Sequence, residues 1–249
     1  MKQCVVVKHR YKIPLGHSFL HIPKTGGTAI EQARKRLQIE VLTSPWTSLW
    51  TGQARRDHEP GAAWHLPPDM FAMRHGLERS YLGKPLLCVV RDPAERLGSE
   101  IGWRCRLARR RPDAFRFWTQ LPLRARACAA PGPTPVAELL REARIVADAK
   151  GNRTQLLFAD DRVLHMLPQA WFVWSASGAV TCQCVVAYEK LQHVVGLARQ
   201  DARNRSRSRG QTPAAYNNQL LAQLYARDAE LHRRANAHNG FCYAPRASF

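Results

Sequence analysis

One lysine, two threonines and two adjacent glycines stand together in "PKTGGT", residues 23–28, between the apolar run "HSFLHI" and a segment of helical periodicity. Such a strand-to-helix loop can hold an anion. Amides at a helix N-terminus have no intrahelical acceptor, glycines let a ligand approach the backbone, and the helix dipole favours negative charge. Lys24 would add a mobile cation, and Thr25 and Thr28 hydroxyl donors, beside Gly26 and Gly27. The same residues also fit a plain Gly-Gly turn with Thr28 as helix cap and Lys24 in solvent. A Walker loop, GxxxxGK[ST], places its lysine after the glycines, and here it precedes them, which weighs against an ordinary P-loop kinase or GTPase.

A second candidate anion site lies in "CVVRDPAERLGSEIGW", residues 88–103. Arg91 ends an apolar strand, Asp92 can cap a helix, and Pro93 suits the first helical turn. Ser99 comes seven residues after Asp92, on the same helical face and about 10 Å further along the axis. Arg91 and the Ser99 hydroxyl could then share one phosphate. The alternative is a surface arrangement, Arg91 with Asp92 or Arg96 with Glu95, and an exposed Ser99.

The elements that must position these residues alternate strand with helix. "HSFLHI" reads as a short buried strand, followed by Ile30, Ala33 and Leu37 at helical spacing with Arg34, Lys35 and Arg36 facing out. "KPLLCVVRD" is apolar at successive positions, as a strand buried on both faces of a parallel sheet would be. "WFVWSASGAVTCQCVVAYEKL" predicts strand, Ser-Gly turn, strand. From Pro213 onward, Tyr216, Leu220, Leu224 and Leu231 make an apolar stripe on one closing helix. Breaks fall at "CAAPGPTPV", residues 128–136, and at "DARNRSRSRG", where residues 201–210 form an exposed loop. No internal repeat is visible. The expectation is a single α/β domain over residues 1–249 with a central parallel sheet flanked by helices. A basic insert at 104–134 has no assigned structure.

At 249 residues with 45% apolar content the chain can bury one sizeable core. Its 38 Lys and Arg against 19 Asp and Glu leave a net charge of +19, which favours an anionic partner: a nucleotide, an acidic glycan, nucleic acid or an acidic membrane surface. The run "WRCRLARRRPDAFRFW" interleaves basic and aromatic residues, so an acidic polysaccharide could lie along it; it also fits a helix face in water. Seven cysteines without a CxxC pair match neither a zinc site nor a dense disulfide framework. Cys182 and Cys184 would share one face of a strand as ordinary buried residues. Asn152 and Asn204 head short glycosylation sequons. No stretch approaches the roughly 18 apolar residues of a membrane span, and the chain is expected to be soluble.

Taken together, "HIPKTGGT" and "VVRDPAERLGS" resemble the two motifs by which carbohydrate sulfotransferases bind 3'-phosphoadenosine-5'-phosphosulfate (PAPS), particularly the branch with heparan-sulfate 2-O- and chondroitin-type enzymes. The resemblance implies a P-loop-like sulfotransferase fold. It also implies that Lys24, Thr25, Gly26, Gly27 and Thr28 grip the 5'-phosphosulfate and that Arg91 and Ser99 grip the 3'-phosphate. "HMLPQAWFVWSASGAVTCQCVVAYEKL" is similar to the family's H-x-x-P-Q-x-x-F segment, and "LYARDAELH" to its terminal helix with an acidic residue at Asp228. "GNRTQLLFAD" is similar to its N-x-x-T-R-x-L stretch but one residue shorter, with Gln155 and Leu156 where threonine and arginine are expected. The implied activity is transfer of a sulfuryl group from PAPS to a carbohydrate hydroxyl, with Lys24 stabilising the leaving phosphate and no metal required. "AWHLPPDMF" is similar to the family's segment near the acceptor, making His65 the candidate base; His58, His75, His165, Asp57 and Glu59 compete. Relatives in eukaryotes work in the Golgi lumen behind an N-terminal anchor, so the resemblance leaves two settings open: the Golgi lumen if such an anchor is missing from this sequence, and the cytoplasm otherwise. Two rival functions stand beside this one: binding of nucleic acid or another polyanion without catalysis, and an atypical nucleotide kinase. No helix-turn-helix, RNP or zinc-finger pattern supports specific nucleic-acid binding.

Overall fold

Five strands form one sheet in a computed structural model that describes residues 17–27, 29–30, 40–41, 65–75, 85–110, 134–191, 219–238 and 240–242. In spatial order they are β2 (Glu40–Val41), β1 (Ser18–Leu20), β3 (Leu86–Val90), β4 (Cys184–Ala187) and β5 (Phe241–Cys242). The first four run parallel, and β5 pairs antiparallel with β4. With helices packed around it, this is an α/β architecture built on a parallel sheet.

Burial explains why β3 is apolar throughout. Side chains alternate across a strand, so Leu86, Cys88 and Val90 enter one core cluster while Leu87 and Val89 enter another. The larger cluster takes Leu97 and Ile101 from α2 (Pro93–Arg110) and Leu139, Ala143 and Val146 from α3 (Thr134–Asp148). Those last three recur at helical spacing and so share one face. The smaller cluster closes with Phe19, Ile30 and Leu191. Further contributions to the larger core come from α1 (Pro68–His75), through Met70 and Phe71, and from α4 (Asp161–His165), through Val163 and Leu164.

Three expectations need correction. The stretch before the Ser-Gly turn is not a strand: Ala170–Val173 is a helical turn, α5, and only Trp174 pairs with Val180 across the turn as a single antiparallel bridge. The cause is tertiary. The buried Asp228 carboxylate accepts from the Gln169 and Ala170 amides, each at 2.8 Å, and two successive amides aimed at one oxyanion are helix N-terminal geometry. The closing helix is likewise two helices, α6 (Gln219–Leu224) and α7 (Ala226–Ala237). They part at Tyr225, whose buried hydroxyl donates to the Met166 carbonyl at 2.7 Å. Leu231 lies in the core, Leu220 and Leu224 are partly buried, and Tyr216 falls outside the described residues.

The third correction concerns the cysteines. Cys182 and Cys184 are buried, but as halves of two disulfides, Cys88–Cys182 and Cys184–Cys242. One ties β3 to the chain entering β4; the other ties β4 to β5, a strand of two residues. Among the described residues no helix is long and apolar enough to cross a membrane.

Candidate functional site

The strand order places β2 on one side of β1 and β3 on the other, so the connections leaving β1 and β3 diverge at their carboxyl ends. In open α/β sheets the crevice at such a reversal is where ligands bind. Both motifs singled out in the sequence start there: residues 21–27 follow β1, and Arg91 follows β3.

The first loop is tightly constrained. Lys24 has a positive φ of 66°, which costs a side-chain-bearing residue roughly 1–2 kcal/mol and persists only where the surroundings enforce it. Gly26 follows with φ 93°, and a Cβ there would stand 2.7 Å from the Tyr188 ring. At Gly27 a Cβ would collide with the His21 ring. The glycines are thus required by close packing of the loop on Tyr188 and His21. Thr25 is fully buried, and its hydroxyl donates to the Ile22 carbonyl at 2.9 Å, bracing the loop from within. Gly27, Ala29 and Ile30 are helical; Thr28 lies outside the described residues.

At the second junction Asp92 caps α2 by accepting from the Glu95 amide at 3.0 Å. Arg91 lies over the Tyr188 ring at 4.4 Å and donates to Glu95 at 3.2 Å. Because Glu95 is 54% exposed, that ion pair contributes under about 1 kcal/mol and an incoming phosphate could displace it. The Arg91 backbone is fixed by Gln169, whose amide oxygen accepts from the Arg91 N–H and whose NH₂ donates to the Arg91 carbonyl, both at 2.8 Å. Ser99 lies two turns into α2, partly exposed.

Arg96 joins the two junctions. Its buried guanidinium donates to the Pro23 carbonyl of the first loop at 3.1 Å and to the His165 carbonyl at 2.6 Å. It also faces Asp228 Oδ2 at 3.9 Å. Burial pushes the Asp228 carboxyl up, against the pull of Arg96 and the two amides it accepts.

Beside the first loop runs a buried chain of polar side chains. Glu100 Oε2 lies 2.9 Å from His165 Nδ1, and His165 Nε2 lies 3.0 Å from His65 Nδ1. The other Glu100 oxygen accepts from Arg104 Nε at 2.6 Å, and Arg104 continues to Glu142 at 2.9 Å. Lys24 Nζ stands 3.8 Å from Glu100 Oε2 and 3.8 Å from the centre of the Trp103 ring. Burial alone would raise the Glu100 carboxyl, but the charges of His165, Arg104 and Lys24 hold it well below the ordinary carboxylate range.

His65 is therefore linked to Glu100 through His165, and Glu100 in turn faces Lys24. His75 ends α1; Asp57, His58 and Glu59 fall outside the described residues. Arg104, which the sequence placed in a basic insert, is a buried internal partner, and α2 runs on to Arg110; residues 111–133 are outside the described set. Arg153, in the segment where the family pattern departs, is also internal: it pairs with Asp69 at 2.7 Å and donates to the Trp174 carbonyl at 2.7 Å. Asn152 caps the turn Arg153–Leu156 by accepting from the Thr154 amide. Sequence reasoning missed the roles of Arg96, Glu100 and Gln169. Their signal was position alone: Arg96 and Glu100 lie in the second stretch, residues 88–103, and Gln169 in H-x-x-P-Q. Among the described residues no His, Cys, Asp and Glu side chains are grouped as metal ligands.

No family model, no curated protein and no solved structure matches the chain.

Proposed function

We propose that this chain is a PAPS-dependent O-sulfotransferase acting on a carbohydrate hydroxyl. The observation that carries the reading is the side-by-side arrangement of two anion-type junctions, at the carboxyl ends of neighbouring parallel strands, tied by Arg96 from α2 to Pro23. A nucleotide with phosphate groups at two ends needs two such cationic sites. Lys24 and Arg91 fit them: each rests on an aromatic ring, Trp103 or Tyr188, and each faces a carboxylate, Glu100 or Glu95.

PAPS supplies an activated sulfuryl group whose leaving phosphate gains charge as its bond to sulfur breaks. In this reading Lys24 and the loop amides lie toward the 5'-phosphosulfate and counter that charge. Thr25 holds the loop in shape through Ile22, and Arg91 with Ser99 lies toward the 3'-phosphate. Thr28 would complete the first loop. His65, joined to Glu100 through His165, takes the acceptor's proton. A net charge of +19 suits an acidic polysaccharide as acceptor. Disulfides such as Cys88–Cys182 and Cys184–Cys242 fit an oxidising compartment such as the Golgi lumen.

Transfer of radiolabelled sulfate from PAPS to a panel of glycosaminoglycans tests the proposal. The wild-type chain should label at least one acceptor and Lys24→Ala none. Retention on immobilised adenosine 3',5'-bisphosphate with elution by RNA alone would favour nucleic-acid binding instead, and magnesium-dependent ATP turnover would favour a kinase.

A further inference from the structure

We propose that His232 is a positioning residue for the second anion site: protonated, it pairs with Glu189 and keeps that charge from competing for Arg91, so that a phosphate beside Arg91 is held more tightly in neutral than in alkaline solution. The identity of the phosphate rests on the nucleotide reading above.

The sheet register brings the participants together. Val90 pairs with Ala187 at the ends of β3 and β4. Arg91 and Tyr188 therefore leave the sheet side by side, and the Arg91 guanidinium lies over the Tyr188 ring. Glu189 comes next in the helical turn Tyr188–Lys190. Helix α7 packs on both strands and supports this end of the sheet at two successive turns. Asp228 accepts from the Gln169 amide, and Gln169 in turn fixes the Arg91 backbone. One turn further along α7, His232 Nε2 lies 3.0 Å from Glu189 Oε2. Arg91 is thus braced from α7 through its main chain and again through the residue beside its aromatic support.

Charge decides what the second brace does. His232 feels Glu189, with Lys190 next to it in the turn, and Asp92 and Glu95 from the start of α2; the Arg91 charge acts on Glu189. On α7 itself Asp228 is turned to Gln169 and Ala170, and Glu230 pairs with Arg233. The elements packed on α7, namely β3, β4, α5 and α6, carry no charged side chain. Within the group around Arg91, a neutral His232 leaves one cation against the carboxylates of Asp92, Glu95 and Glu189. A protonated His232 makes it two, and cancels the carboxylate that follows Tyr188. Burial lowers the His232 pKa, but the hydrogen bond and attraction to Glu189 outweigh this and raise it above the ordinary 6.5. A phosphate arriving at Arg91 adds negative charge and raises it further. Binding therefore takes up protons at His232, and affinity falls as pH rises through these values.

Isothermal titration of the oxidised full-length chain with adenosine 3',5'-bisphosphate tests this between about pH 7 and pH 9, where the secondary ionisation of a phosphate monoester, at about 6, is complete. The wild-type Kd should rise about fivefold across the range. At intermediate pH, titrations in two buffers of different ionisation enthalpy should reveal proton uptake on binding. His232→Gln keeps a donor for Glu189 without the charge; it should show the wild type's alkaline Kd throughout and no such uptake. Glu189→Gln should bind tightly throughout. A His232 that only stabilised the fold would, when replaced, weaken binding equally at every pH, and a wild-type pH profile that survives in His232→Gln overturns the proposal. Adenosine 5'-monophosphate lacks the phosphate assigned to Arg91 and should show a smaller change; an equal fall would place the titrating group elsewhere. Binding that is cut by Lys24→Ala and Arg91→Ala but keeps one Kd across the range ends the role of His232 and leaves the nucleotide reading standing. No binding at any pH ends both.

Discussion

Arg96→Met should lower the unfolding free energy by about 3–5 kcal/mol, a large share of the roughly 5–15 kcal/mol of a typical domain. The Arg96 side chain is almost fully buried, and it serves the Pro23 carbonyl, the His165 carbonyl and the Asp228 carboxylate. Truncation strands two buried acceptors, at about 1–3 kcal/mol each, and removes the countercharge of Asp228. The charge contribution falls at the low end of its range for two reasons. Asp228 keeps the Gln169 and Ala170 amides, and burial already raises its pKa, which eases protonation. Urea unfolding at constant m-value measures the loss. Arg96→Met combined with Asp228→Asn should be less destabilised than the sum of the single variants by about 1–3 kcal/mol, since the two side chains face each other. A single-variant loss below about 1 kcal/mol, or strict additivity, would refute the view that Arg96 binds the two junctions together.

Gly26→Ala should destabilise by about 2–4 kcal/mol, from a φ of 93° and a Cβ only 2.7 Å from Tyr188. Gly151→Ala, with φ 83° but nothing within 4 Å of its Cβ, should cost only about 1–2 kcal/mol; equal losses in thermal unfolding would contradict the packing assigned to the first loop. His232 and Glu189 pair at 3.0 Å. Burial lowers the His232 pKa, but its hydrogen bond and attraction to Glu189 outweigh this and raise it; the same pair lowers Glu189 despite burial. The His232 contribution is fully present below its ordinary value of 6.5 and lost as pH rises through the raised folded value. That of Glu189 is present above 4.5 and lost as pH falls through its lowered folded value. The difference in stability between wild type and His232→Ala should stay under about 1 kcal/mol and shrink as the pH becomes alkaline; a difference that grows there would contradict the pairing. Peptide mapping without reduction should recover Cys88–Cys182 and Cys184–Cys242, and Cys88→Ser should cost about 2–4 kcal/mol given the 94-residue separation it closes.

What was legible in the sequence is what local chemistry alone dictates. An apolar run such as 86–90 can only be a strand covered on both faces, and Asp92-Pro93 marks a helix start whatever lies around it. The placement of the second motif at the end of a strand followed from those two facts. Long-range pairing was not legible. Nothing in "RLGSEIGW" says that Arg96 reaches Pro23 or that Glu100 meets His165, because partners 73 and 65 residues apart are chosen by the tertiary fold. The strand expected at 171–174 failed for the same reason: its residues are good strand formers, and Asp228, far along the chain, captures the preceding amides for a helical turn. Isolated cysteines at irregular spacing likewise carry no local sign of pairing. Cys88 and Cys182 meet because β3 and β4 are neighbours in the sheet.

The claim on which the account turns is that two neighbouring strand-to-helix junctions hold one nucleotide with phosphates at both ends. Isothermal titration of the oxidised full-length chain with adenosine 3',5'-bisphosphate tests it most directly. The account predicts a single site, weakened at least about tenfold by Lys24→Ala and again by Arg91→Ala, since each removes a charge-assisted phosphate contact. No binding, or binding that neither substitution alters, would contradict it.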